Sequence, residues 1–219
     1  MERRLTEDEL AFLAASDRGL DGRSTDIASG DGTPSWILGM LRFCSRCGAP
    51  LATALLPEEN RERLVCAACG FISYVNPRLV VTTIPVTDTG EAILLRRGIE
   101  PGRGWWAQPG GFLEVDETVH QAAVRETLEE TGLHVAPGDL VGLYSRLEAG
   151  VVVIAYEARI TGGEARTTPE ALEVRAFAPA AIPWAEIAFK TSFYAIRDWV
   201  QRRDASVAVP ASFREGASG

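Results

Sequence analysis

Residues 79–86 form an almost unbroken run of Leu, Val, Ile and Thr, and a polar turn at 88–90 separates it from a second apolar run at 92–95. Short β-branched runs flanking a tight turn predict a hairpin. Residues 101–111 hold four glycines and two prolines around Trp105 and Trp106, which predicts a loop. From Glu117 to Thr131 the period changes to that of a helix, with Asp116 placed to cap it and Gly132 to end it. Apolar alternation predicts strands at 139–147, 150–160 and 172–178. A last helix is expected at 190–203, with Phe193, Ile196, Trp199 and Val200 on one face. Strands mixed with two helices imply an α/β sandwich.

The chain before this block is patterned differently. Residues 5–15 predict a short amphipathic helix capped by Thr6, and 17–34 are Gly, Asp, Ser and Thr with few apolar positions, as in a linker. An apolar segment at 36–41 precedes two cysteine pairs within 42–76. The expected organisation is an N-terminal helix and linker (1–41), a small metal-binding module (42–76), the main domain (77–203) and a frayed tail (204–219).

Charge narrows the function. Thirty acidic against twenty-two basic residues leave a formal net charge of −8, which argues against a large duplex-DNA interface. The longest apolar runs, such as 151–156, are too short to cross a bilayer, and the first residues carry no apolar core of a secretory signal. The expectation is a soluble, cytoplasmic protein. Without a secretory signal, four cysteines are better explained by a metal than by disulfides. The basic residues are almost all arginine, Lys190 being the only lysine.

Within the first helix, Glu126, Glu129 and Glu130 share one face at 100° per residue, while Val124 and Leu128 lie about 200° round from Glu126 and Glu130 and are expected to face the core. Three carboxylates this close repel one another, and no lysine or arginine stands at 133 or 134 to offset them. A hard divalent cation held by oxygen alone, Mg²⁺ or Mn²⁺, resolves the repulsion; a solvated acidic face is the alternative.

The spacing around these glutamates is specific. Gly111 is followed after five residues by Glu117, after seven more by Arg125 and Glu126, and then by Glu129, Glu130, Gly132 and Leu133. This resembles the Nudix box, Gly-x5-Glu-x7-Arg-Glu-U-x-Glu-Glu-x-Gly-U with U apolar. Thr127 departs from it at an apolar position, where its methyl group can still pack. The resemblance implies an α/β/α sandwich with a mixed sheet that uses Mg²⁺ or Mn²⁺ to cleave a nucleoside diphosphate linked to another moiety. It further implies Glu126, Glu129, Glu130 and the Gly110 carbonyl as ligands of the catalytic cation. Glu117 and Arg125 become an ion pair holding the loop to the helix, consistent with the bidentate fit of arginine to carboxylate. Gly110 and Gly111 would let backbone approach metal and phosphate closely. The general base is left open between Glu126 and a glutamate outside the box, namely Glu148, Glu170 or Glu173.

Cys44 and Cys47 are two residues apart, as are Cys66 and Cys69, with eighteen residues between the pairs. That is the spacing of a four-cysteine zinc site, which has no open position and is therefore structural. Gly48 and Gly70 follow the pairs and suit turns that aim N–H groups at sulfur. Metal binding would supply the folding energy of so small a module. A redox role for the two pairs is the weaker alternative, since neither sits in a strand–helix context. Arg42, Arg46, Arg61 and Arg63 give the module local positive charge, but a docking or dimer-stabilising role suits it better than nucleic-acid binding.

A zinc ribbon ahead of a Nudix box resembles a narrower group that includes NADH, ADP-ribose and FAD pyrophosphatases. The Ser-Gln-Pro-Trp tetrapeptide of NADH pyrophosphatases is absent, and residues 170–177 and 182–190 look like the ADP-ribose/FAD branch. Candidate substrate contacts are Arg96 and Arg97 for phosphate, Trp105, Trp106 and Tyr144 for a ring, and Glu173. Gln108 precedes Pro109, Gly110 and Gly111 at a place where relatives commonly have an apolar residue. The expected reaction releases AMP and a second phosphate monoester from a small dinucleotide. Alternatives are a non-hydrolysing nucleotide sensor and a hydrolase of nucleotide-capped RNA ends. The resembling enzymes are often dimeric, which implies a homodimer; residues 36–41 would be buried in its interface or cover the ribbon.

Overall fold

A computed structural model describes residues 41–213. The helix expected at 5–15, the linker at 17–34, nearly all of the 36–41 segment and the last six residues of the tail lie outside the described residues. Those described fall into two compact units that meet in sequence between Pro77 and Arg78.

The first unit is a three-stranded antiparallel sheet of β1 (Leu51–Leu56), β2 (Arg61–Cys66) and β3 (Ile72–Ser73), with β2 in the middle. Its cysteine turns repeat one geometry. Gly48 N–H reaches back to the Cys44 carbonyl at 2.9 Å, and Gly70 N–H to the Cys66 carbonyl at 2.8 Å. Both glycines have φ above 70°, a left-handed conformation that a side chain would strain.

The second unit is built on β4 (Arg78–Val86) and β5 (Ala92–Arg97), joined by the expected hairpin. The order across the main path of the sheet is β10-β5-β4-β9-β8, with β8 spanning Leu133–Arg146, β9 Val151–Gly163 and β10 Ala171–Phe177. Only β4 and β9 run parallel among these pairs, so the sheet is mixed. The stretch expected as loop at 101–111 contains two short strands, β6 (Trp106–Ala107) on β5 and β7 (Gly110–Phe112) on β4. Strand pairing absorbs backbone groups that glycine and proline content alone would assign to a loop.

Helices cover both faces. Along β4, Val81 and Thr83 meet α1 (Val119–Thr131), while Val80 and Ile84 turn toward α2 (Lys190–Arg203), as alternation along a strand requires. The larger core lies under α2, where Phe193, Ile196, Trp199 and Val200 are all buried at the expected helical spacing. The α1 face is thinner: Ala122 and Ala123 sit on Val81.

Two expectations for α1 need correction. The cap is Thr118, not Asp116: its hydroxyl accepts from Gln121 N–H while the Gln121 side chain accepts from Thr118 N–H. This reciprocal capping box starts the helix at Val119 and leaves Glu117 outside it. Nor do Val124 and Leu128 make the buried stripe; both are partly exposed, and Ala123, Thr127 and Glu130 face the sheet instead. The reason is chemical. The β4–β7 region offers polar partners, the Thr83 hydroxyl and the Gly110 N–H, so polar residues can point inward at little cost. Gly132 ends the helix as expected, with φ 77° and its N–H on the Leu128 carbonyl.

Candidate functional site

The loop from β7 to α1 and the helix itself bring the box residues together. Arg125 is the centre of the arrangement. Its Nε and Nη2 donate to the two Glu117 oxygens at 3.0 and 2.6 Å, and Nη2 also reaches the Phe112 carbonyl at 3.2 Å. Nη1 meets Glu126 Oε1 at 2.7 Å and Glu129 Oε2 at 3.3 Å. One guanidinium thus ties the loop to the helix and bridges two of the three glutamates. The Arg125 hydrogen bonds, with a further one from Glu114 N–H, hold the Glu117 carboxyl at about 2. Its carboxylate partners in turn raise Arg125.

The three glutamates occupy different environments. Glu129 is exposed. Glu126 is half-buried, and burial raises its pKa although Arg125 pulls the other way. Glu130 is 7% exposed, and its Oε2 accepts from Gly110 N–H at 2.8 Å. Burial pushes it up to about 7 against the opposing effect of that hydrogen bond, with the Glu126 charge adding to the rise and Arg97 opposing it. Two desolvated carboxylates side by side are an arrangement that a cation would relieve.

The two glycines explain how the parts fit. A Cβ on Gly111 would stand 2.4–2.5 Å from the Glu126 carboxylate, and one on Gly110 would stand 2.3 Å from the Val81 carbonyl. Bare backbone at 110 gives the loop its contact with β4, and bare backbone at 111 gives Glu126 its place. Oxygen donors from Glu126, Glu129 and Glu130 suit a hard cation such as Mg²⁺ or Mn²⁺. Arg125 takes one oxygen of Glu126 and one of Glu129, and Gly110 N–H takes one of Glu130, so each carboxylate keeps a second oxygen to offer an ion.

Arg97 and Arg96 part at the end of β5. Arg97 is partly buried, its charge is felt by Glu130 and Glu170, and its Nε donates to the Pro101 carbonyl at 2.8 Å, with Phe189 beneath the guanidinium. Arg96 is exposed and donates to the Gly104 carbonyl. Among the glutamates considered as base, Glu170 acts electrostatically on both Glu130 and Arg97. Glu173 instead pairs with Arg175, and Glu148 lies in the 3₁₀ turn Leu147–Ala149. Trp105 is partly exposed, whereas Trp106 is buried edge-on against Phe177. Tyr144 is not brought to the carboxylates: it is 5% exposed under α2, donating to Asp198 at 3.0 Å.

Several residues at the site carried no role in the sequence reading. Thr83 hydrogen-bonds Thr127 at 2.6 Å, both fully buried. The box spacing gives Thr127 a methyl group that can pack and assigns nothing to its hydroxyl. The Thr82–Thr83 pair inside an otherwise mainly apolar strand was the available signal, and it does not tell which of the two faces the helix. Gln108 is 4% exposed, its amide nitrogen donates weakly to Thr82, and its Oε1 is the single buried side-chain atom without a partner among the described residues.

In the first unit the sulfurs of Cys44, Cys47, Cys66 and Cys69 all lie within 4.8 Å of one another. The Cys44–Cys69 and Cys47–Cys66 separations are 3.7 and 3.5 Å, far beyond a disulfide and near the ~3.8 Å edge of a tetrahedron with ~2.3 Å Zn–S bonds. Arg46 N–H approaches the Cys44 sulfur at 3.4 Å. Burial alone would raise the Cys66 thiol, but backbone N–H groups of Cys69 and Ala68 and the Cys47 thiol bring it to about 7. The four residues fit zinc.

No helix among the described residues is long and apolar enough to cross a membrane. The NUDIX domain pattern matches residues 76–198, and the pattern described as Nudix N-terminal, a zinc ribbon, matches residues 42–75. A crystal structure of a NUDIX hydrolase from Nitrosomonas europaea superposes with a TM-score of 0.70 at 34% identity, over 77% of this chain and 95% of that one. An ADP-ribose pyrophosphatase from Methanocaldococcus jannaschii is 36% identical over 108 residues, 48% of this chain and 63% of that protein. A protein named NAD-capped RNA hydrolase NudC from Stutzerimonas stutzeri is 29% identical over 132 residues, 60% of this chain and 46% of that protein. The chain spans between 42% and 63% of the length of the first curated relatives it matches.

Proposed function

The chain belongs to the NUDIX domain family, and on that premise we propose that it hydrolyses the diphosphate bond of a nucleoside diphosphate linked to another moiety, releasing AMP and a second phosphate monoester. One observation carries this reading: two desolvated carboxylates lie against the Gly110–Gly111 loop, Glu130 accepting from Gly110 N–H and Glu126 from Arg125, which is itself forked to Glu117. Glu126, Glu129, Glu130 and the Gly110 carbonyl would hold Mg²⁺ or Mn²⁺. When bound, the cation offsets diphosphate charge and lowers the pKa of water.

The chain's own groups divide the remaining work. Glu117 holds Arg125, and with it the entry to α1, in place. Arg97, facing the same charge field as Glu130, binds a phosphate oxygen. Glu170 takes the proton of the attacking water; its charge is felt by both Glu130 and Arg97, which favours it over Glu173, which Arg175 occupies. Trp105 offers a partly exposed ring for a base, a role the buried Tyr144 does not suit. The zinc ribbon is structural. A cytoplasmic location agrees with four cysteines arranged for metal rather than disulfides, and a homodimer completes the proposal.

ADP-ribose and FAD are the preferred candidates, since the Ser-Gln-Pro-Trp tetrapeptide is missing. A second reading, cleavage of nucleotide-capped RNA ends, is favoured by the relatives named NAD-capped RNA hydrolase and uses the same phosphorus chemistry. Turnover with Mg²⁺ or Mn²⁺ on ADP-ribose, FAD, NADH, NAD⁺, diadenosine polyphosphates, nucleoside triphosphates and NAD-capped RNA tests the choice. AMP from ADP-ribose or FAD supports the first reading, and preference for capped RNA supports the second. Nucleotide binding without turnover of any would overturn both.

A further inference from the structure

Building on this reading of the carboxylates, we propose that Thr83 and Thr127 are a positioning pair that fixes α1 against the Gly110 loop and so places Glu126 and Glu130. The Nudix box asks only for an apolar side chain at 127, and an apolar contact is non-directional, tolerating small slides of helix over sheet. A threonine there brings a buried hydroxyl that must find a partner. It finds two: the Ala123 carbonyl at 2.7 Å and the Thr83 hydroxyl at 2.6 Å.

Proton counting sets the direction. Thr127 has one hydroxyl proton, given to Ala123, so Thr83 donates to Thr127 Oγ1. Thr83 is also bound on its main chain, its N–H donating to the Pro109 carbonyl at 3.0 Å. The next residue, Gly110, gives its N–H to Glu130 at 2.8 Å. The links close a ring: β4 holds the loop, the loop holds Glu130, Glu130 belongs to α1, and α1 returns to β4 through Thr127. Thr127 lies next to Glu126 in the chain and three residues before Glu130. A slide of the helix therefore stretches the Thr83–Thr127 and Gly110–Glu130 bonds together. A directional bond at this point selects one helix height, which a valine pair of similar shape would not.

The test uses the full-length, zinc-loaded protein and the variants Thr127→Val, Thr127→Ser, Thr83→Val and the double valine. Melting temperature, Gly110 amide exchange in Mg²⁺- and Mn²⁺-free buffer, and Mn²⁺ affinity by calorimetry are measured. Thr127→Val leaves the Thr83 donor buried without an acceptor and should lower the melting temperature, and the double valine, lacking both partners, should recover it. If the pair positions the helix, the double valine still exchanges the Gly110 amide about tenfold faster and binds Mn²⁺ about tenfold more weakly, while Thr127→Ser keeps both near wild type. Wild-type Gly110 exchange in the double valine overturns the pair, whatever the protein does with Mn²⁺. Wild-type protein that binds no Mn²⁺ counts against the cation reading, and Gly110 exchange then decides the pair by itself.

Discussion

A methyl group on Gly111 would stand 2.4 Å from Oε1 of Glu126, so the loop backbone and the carboxylate of the helix occupy adjoining space with no room for a side chain between them. The obstacle is the end of a side chain, so Gly111→Ala should displace Glu126 rather than unfold the loop. Stability is expected to fall by about 1–3 kcal/mol, whereas kcat falls on the order of a hundredfold, because a displacement near 1 Å is costly at a reacting centre. Melting curves and steady-state kinetics of the variant check both.

Glu130 gives a pH dependence of definite sign. Its folded value of about 7 lies above the ordinary carboxyl value of 4.5, so the protonated form is the one that fits the fold. That stabilising contribution is fully present below the ordinary value and is lost as pH rises through about 7. In Mg²⁺- and Mn²⁺-free buffer, Glu130→Gln should be more stable than wild type at pH 8, by on the order of 1–3 kcal/mol, and nearly equal to it at pH 4. Urea unfolding at the two pH values measures the difference.

Glu117 behaves in the opposite sense. Its folded value of about 2 lies below the ordinary one, so its contribution is present above the ordinary carboxyl value and is lost as pH falls through about 2. Arg125→Lys keeps the charge but loses the fork that spans both Glu117 oxygens and the Phe112 carbonyl. It is expected to lower kcat at least tenfold and to increase amide exchange along 112–118. Kinetics with hydrogen-exchange mass spectrometry reads both effects.

The four-cysteine site predicts one zinc per chain in the purified protein. Cys47→Ser should bring that ratio close to zero and leave Cys44, Cys66 and Cys69 reactive toward a thiol reagent. Metal analysis beside a thiol titration checks it.

Much of this was legible because it depends on fixed spacing. The box residues and the cysteine pairs are local patterns whose chemistry follows from residue type, and the strand hairpin and α2 follow from period alone. The helix cap was legible too, in the Thr118-x-x-Gln121 signature, but Asp116 ahead of an acidic residue offered a competing start. What the pattern misplaced depends on distant partners. The face of α1 could not be assigned from the helix by itself, because Thr127 and Glu130 turn inward only where Thr83 and Gly110 supply hydrogen bonds. Tyr144 lies beyond irregularities at Pro137/Leu140 and Leu140/Gly142, which interrupt the alternation that would tell its face. Glu170 reaches the field of Glu130 through the fold, some forty positions along the chain, with no local mark to separate it from Glu173.

The account rests on carboxylates that hold a catalytic cation. Its most direct test is turnover by Glu129→Gln and Glu130→Gln under Mg²⁺ or Mn²⁺, each beside a circular-dichroism melt, on whichever substrate the wild type prefers. The account predicts that each variant loses at least a hundredfold in kcat while melting cooperatively as a folded protein. Wild-type turnover in both variants would contradict it.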